Sequence, residues 1–276
     1  MIDTISIYLN QGFVSRALIV GIMISICSSL VGVTLVMKRL SFIGDGLSHV
    51  AFGAMAVAAA MSMANNLFFT LPVTVTSAII LLRIGQSKKI KADAALAVLS
   101  VASLAIGYLI MNVFSVSSNV SGDVCTTLFG STSILTLTEG DVLFSSVMSA
   151  VIVITFVFLY NRIFDITFDE DFSKAVGTNT NLYSLIVATM IAVIIVVGMK
   201  LVGALLISAL VIFPALSAMR IFKTFFSVTI CSVAVSVLCA FSGMIFSILA
   251  ETPVGATIVA ANVVAFAVCS LIGRLK

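Results

Sequence analysis

The feature that most constrains this chain is a succession of unbroken apolar runs, each about as long as a bilayer is thick. A helix crossing the hydrocarbon core needs roughly 20 apolar residues. Runs of that kind follow one another from Phe13 to Ile272 with little chain between them. Of 276 residues, 61% are hydrophobic and only 9% charged, where a soluble domain carries about a quarter. So few charges cannot wet a water-soluble surface. The chain reads as an all-α, polytopic integral membrane protein embedded in the lipid bilayer. A soluble catalytic core, a large extramembrane domain and nucleic-acid binding are excluded. So is a barrel, because the runs lack the alternation that lipid-facing strands require.

Polar punctuation divides the chain into about nine spans: Phe13–Met37, Ile43–Met63, Leu67–Leu82, Ala94–Phe114, Val142–Tyr160, Leu182–Met199, Leu201–Met219, Phe225–Leu249 and Val254–Ile272. The Ala94 and Leu201 segments are the weakest of these, so eight spans is the alternative count. Leu201 follows its predecessor so closely that a broken or partly re-entrant helix is expected there. The first cation is Arg16, preceded by Asp3, so the N-terminal run reads as a retained helix and not as a cleaved signal peptide. With the N-terminus outside and the C-terminus cytoplasmic, twelve of the fourteen basic residues fall in the five inner segments 38–42, 83–93, 161–181, 220–224 and 273–276, as the positive-inside rule requires. No linker or repeat divides the chain, so residues 1–276 form a single transmembrane domain. The five cysteines show no paired spacing and read as small packing residues.

Asp45 is the one charged residue set well inside a predicted span, and His49, the single histidine, follows four positions later. Residues i and i+4 share a helix face. Counted from Arg39, the two stand about 9 and 15 Å along the helix, near the bilayer midplane. A carboxylate there costs about 2.5–3.5 kcal/mol and needs a partner. Three readings compete: a structural Asp–His hydrogen bond, a proton relay, and a divalent-cation site, since carboxylate oxygen with imidazole nitrogen suits zinc, manganese or iron. Two donors do not complete a metal shell; a two-fold dimer, water, carbonyls or methionine sulfur would have to supply the rest. Small residues flank the pair, Gly44, Gly46, Ser48, Ala51 and Gly53 among them, which allows close helix approach.

The stretch Lys38-Arg39-Leu40-Ser41-Phe42-Ile43-Gly44-Asp45-Gly46-Leu47-Ser48-His49 resembles the signature of the manganese/zinc/iron branch of ABC-transporter permeases. Three further segments agree in order: Asp171 to Gly177, Val202 to Ala215, and Glu251 to Gly255, the last with Val254 where alanine is usual. The resemblance implies that Asp45 and His49 coordinate a transported divalent metal ion, zinc or manganese, in a path formed by a homodimer. No cofactor would be bound permanently. It further implies a cytoplasmic ABC ATPase subunit dimer and an extracytoplasmic metal-binding protein as partners, and the bacterial cytoplasmic (inner) membrane as location.

The chain carries no G-x-x-x-x-G-K-[ST] phosphate loop, so it is read as a permease subunit and not as an enzyme. The inner segment 161–181 is the expected docking element for the ATPase. Phe168, Phe172 and Val176, at i, i+4 and i+8, would form one apolar stripe on a short helix. The acidic run Asp169 to Asp171 would stand at its start, and Gly177 would end it. The other reading is a solvated helix lying on the membrane surface. Pro214 removes a helical hydrogen bond and with Gly203 marks a broken helix, either a gate or a structural kink. Glu251 reads as a solvated charge in an outer turn. An ATP-independent secondary transporter or channel is the rival function; it would usually spread ionisable residues over several spans.

Overall fold

A computed structural model describes residues 12–63, 66–85, 92–114, 130 and 138–275. Eleven helices account for nearly all of them: α1 (Gly12–Met37), α2 (Ile43–Ala60), α3 (Leu67–Gly85), α4 (Ala92–Phe114), α5 (Glu139–Phe158), α6 (Tyr160–Phe168), α7 (Glu170–Ala175), α8 (Thr180–Val202), α9 (Ala204–Ile221), α10 (Phe225–Ala250) and α11 (Val254–Leu275). No strand occurs among the described residues. In lipid every backbone polar group must find its partner inside the protein, and unbroken helices meet that need. Their ends are closed by side chains. Thr138 and Asp141 form a reciprocal capping box at the start of α5, and Asn179 and Thr224 cap α8 and α10.

Eight of these helices are long and apolar enough to cross a membrane. The ninth expected span, Leu67–Leu82, corresponds to a shorter apolar helix, Leu67–Arg83, that carries Pro72. The Ala94 and Leu201 segments, weakest in the sequence, both meet the length and composition of a span. Glycine and close loop spacing weaken a sequence pattern without shortening the helix that packing supports.

Helices α1, α2, α8 and α9 are the most buried and form the centre. Helix α1 packs on α5, α8, α9 and α10; α2 packs on α3, α4 and α9; α11 closes over α9 and α10. Two serine hydroxyls of α10 hold α1: Ser236 Oγ donates to the Ser25 carbonyl at 3.0 Å and Ser232 Oγ to that of Ser29 at 3.5 Å. Such interhelical bonds are each worth about 0.6 kcal/mol in a membrane. Helices α2 and α4 approach through glycine, for a Cβ built on Gly107 would stand 2.9 Å from the Cα of Gly53. Cys27, Cys239 and Cys269 are buried and Cys231 half-buried, in keeping with a packing role; Cys125 lies outside the described residues.

The junction of α8 and α9 is a single residue. Gly203 has φ 95° and ψ 153°, a conformation that glycine adopts without a Cβ penalty. The chain turns back sharply there, bringing Ile207 of α9 against Gly198 of α8.

Candidate metal site and its surroundings

Helix α2 starts at Ile43, because Lys38 to Phe42 form turns and Arg39 stands at φ 59°. The helical rise therefore counts from Ile43, placing Asp45 about 3 Å and His49 about 9 Å along α2. This corrects the deeper position obtained by counting from Arg39. Asp45 thus occupies the first helical turn, where the free N–H groups and the helix dipole favour negative charge. Ser48 caps inward, its Oγ donating to the Asp45 carbonyl at 2.7 Å.

Asp45 and His49 share a face as their spacing requires. His49 Nε2 stands 3.6 Å from Asp45 Oδ2, with the imidazole 15% and the carboxylate 41% exposed. That separation is too long for a hydrogen bond, so the purely structural Asp–His bond is not formed. The second imidazole nitrogen, Nδ1, is buried without a hydrogen-bond partner. Buried polar atoms are nearly always paired, and one left free is open to an added ion or water. Two tetrahedral ligands held about 2.1 Å from one zinc ion stand about 3.4 Å apart. The separation of Oδ2 and Nε2 is close to that.

Asp45 lies between two cavities. One of about 440 Å³ is bounded by Leu205, Ser208, Ile212 and Phe213 of α9 and by Gly255 and Val259 of α11. The other, of about 390 Å³, is bounded by Leu96, Ala97, Ser100 and Val101 of α4. Phe42 borders both. Ser208 is a site residue that the sequence reading missed. Its Oγ approaches Asp45 Oδ1 at 3.5 Å while also donating to the Ala204 carbonyl at 3.2 Å. The one signal available was its position as the sole hydroxyl of α9 ahead of Pro214. No group of three or more His, Cys, Asp or Glu side chains suited to a metal occurs among the described residues. One protomer therefore presents two donors and open space beside them.

Gly203 forms the α8–α9 corner and Pro214 lies buried within α9. Ser208 falls between them, so the broken helix supplies the wall opposite Asp45.

The expected docking stripe is not one helix. Asp169, with φ −147° and ψ 98°, is extended and separates α6 from α7. It does so because its carboxylate caps the following helix, Oδ1 accepting from Phe172 N–H at 2.9 Å. The i, i+4, i+8 spacing therefore does not carry from Phe168 to Val176. Phe168 instead packs in an aromatic cluster, with ring centroids 4.7 Å from Phe164 and 6.2 Å from Phe225. Phe172 and Val176 remain prominent, each 66% exposed, and Gly177 at φ 87° follows the helix end. Glu251 caps α10 in the left-handed conformation and is exposed.

The sequence matches the family model described as "ABC 3 transport family" over residues 10–273. It is 30% identical to a probable metal transport system membrane protein of Thermotoga maritima, covering 93% of this chain and 89% of that one. It is 28% identical to the high-affinity zinc uptake system membrane protein ZnuB of Buchnera aphidicola, over 87% of this chain and 89% of the relative. Among solved structures, PsaBC from Streptococcus pneumoniae in complex with Fab is similar in fold, with a TM-score of 0.85 at 24% identity, covering 98% of this chain and 95% of that one.

Proposed function

The chain belongs to the ABC 3 transport family, and from that premise we propose that it is the permease subunit of an ATP-driven importer for zinc or manganese. The observation that carries the metal is the pairing of Asp45 Oδ2 with His49 Nε2 at 3.6 Å, with open space beside Asp45. Carboxylate and imidazole together suit either metal. Two copies facing each other across the cavities at Asp45 form the path, and the partner copy or water completes the coordination shell.

The energy comes from a separate ATPase dimer. Phe172 and Val176 are its docking residues, with Gly177 ending the helix that presents them and Phe168 bracing that segment from behind. Gly203 and Pro214 shape the gate wall that carries Ser208. An extracytoplasmic binding protein delivers the metal. The N-terminus lies outside and the C-terminus in the cytoplasm of a bacterial inner membrane, the orientation that puts the basic residues inside.

The test is metal accumulation by cells carrying Asp45→Asn or His49→Gln, with zinc and manganese compared. Each variant should lose uptake of the cargo metal at unchanged protein level. Wild-type uptake of both metals by both variants refutes the site. Gradient-driven transport by the purified chain without any ATPase would instead establish the secondary-transporter reading.

A further inference from the structure

Helix α7 is a six-residue body set between two bends, extended Asp169 and left-handed Gly177. Its outward side carries Phe172. Its inward side carries buried Ser173 and half-buried Glu170: Glu170 Oε1 accepts from Lys174 Nζ at 3.0 Å, and Glu170 Oε2 faces Lys38 Nζ at 3.8 Å. The side chains of Lys38 and Glu170 are each only 20% exposed. Burial pushes the Lys38 ammonium below the ordinary lysine range, with Glu170 pulling it partly back.

Lys38 opens the turn that leads into α2, and backbone hydrogen bonds tie that turn at both ends. Leu40 N–H donates to the Leu35 carbonyl at 2.9 Å, Ile43 N–H to Leu40 at 3.0 Å, and Gly46 N–H to Phe42 at 3.0 Å. A backbone closed in this way has little give, so Lys38 and Asp45 shift together. The ion pair borders a cavity of about 290 Å³ lined also by Thr34, Leu40 and Ser184. A closed ammonium–carboxylate contact is about 2.8 Å long. The observed pair is about 1 Å short of closure, with space beside it.

We propose that Glu170 is a positioning residue that links the docked cytoplasmic helix to the Asp45–His49 pair through Lys38. As the ATPase seats on α7, Glu170 closes on Lys38, and the rigid turn carries that displacement into the first turn of α2. This rests on the docking role given above to Phe172 and Val176.

The test uses the permease assembled with its ATPase in proteoliposomes and reads metal ions moved per ATP hydrolysed. Lys38→Met and Glu170→Gln should retain the ATPase and its basal hydrolysis, while ions per ATP fall about 2- to 30-fold, the range for loss of one coupling link. The triple exchange K38E/E170K/K174E, which remakes both contacts with reversed signs, should recover coupling. A merely structural role would lower the amount of folded assembly and leave ions per ATP unchanged. Wild-type ions per ATP in Lys38→Met overturns the link and leaves the docking site standing. A stable triple exchange no better coupled than Glu170→Gln overturns it too. Separately, a Phe172→Ser permease that holds its ATPase as tightly as wild type overturns the docking site itself.

Discussion

Replacing Gly53 by alanine should loosen α4 from α2, while the same change at Gly46 should be tolerated. A Cβ at Gly53 would stand 2.8 Å from the carbonyl oxygen of Ser103 and 3.4 Å from its carbon. Both are backbone atoms, which no rotamer change can move. The oxygen contact is about 0.5–1 Å shorter than ordinary packing, so the α4 backbone must give. Overpacking of this kind costs about 1–3 kcal/mol, and a chain of this size loses about 2–4 °C of melting temperature per kcal/mol. The expected loss is about 2–12 °C for the detergent-solubilised protein. At Gly46 the new methyl meets Cδ1 and Cγ of Leu96, both side-chain atoms, and a rotamer adjustment of that side chain costs about 1 kcal/mol. The two glycines lie two turns apart on one face of α2, and α4 walls the cavity beside Asp45. Gly53→Ala should therefore also reduce uptake at limiting metal. Wild-type melting in Gly53→Ala, or a larger loss in Gly46→Ala, would refute the reasoning.

Two further outcomes follow from the same contacts. Ser208→Ala removes the hydroxyl facing Asp45 Oδ1 and should weaken metal binding about tenfold, the lower end for an outer partner of a ligand; isothermal titration that finds unchanged affinity would count against it. Burial lowers the pKa of Lys38 from 10.5, so its contribution to stability is complete above that value and is lost as pH falls through the lowered one. Lys38→Met should melt higher than wild type at pH 7 and lack the wild-type gain on moving to alkaline pH, a gain in stability set against poorer coupling; identical melting curves across that range would contradict this.

Much of the architecture was legible because lipid leaves few choices. A 20-residue apolar run must become a helix, and the i, i+4 spacing of Asp45 and His49 fixes their common face before any tertiary contact forms. The misreadings came where a polar side chain competes with the helix for backbone partners. Asp169 looked like a charge favouring the start of one docking helix; in fact it accepts from the Phe172 N–H and divides that helix in two. Lys38 to Phe42 were read as an inner loop and do form turns, but the depth of Asp45 was counted from Arg39 as though the helical rise began there. Ser208 was invisible for another reason: its significance depends on α9 folding back against α2, and no local pattern records a contact across 163 residues.

The bend at Gly203 has a consequence for how this chain can vary. With one residue between α8 and α9, there is no slack to absorb an insertion or a deletion. A residue added between Gly203 and Ser208 would swing that hydroxyl by about 100° around the helix axis, turning it from the carboxylate toward another neighbour. The count of residues from bend to hydroxyl thus sets the phase of the entire wall, and the lipid-facing side of α9 can change freely only while that count stays at five.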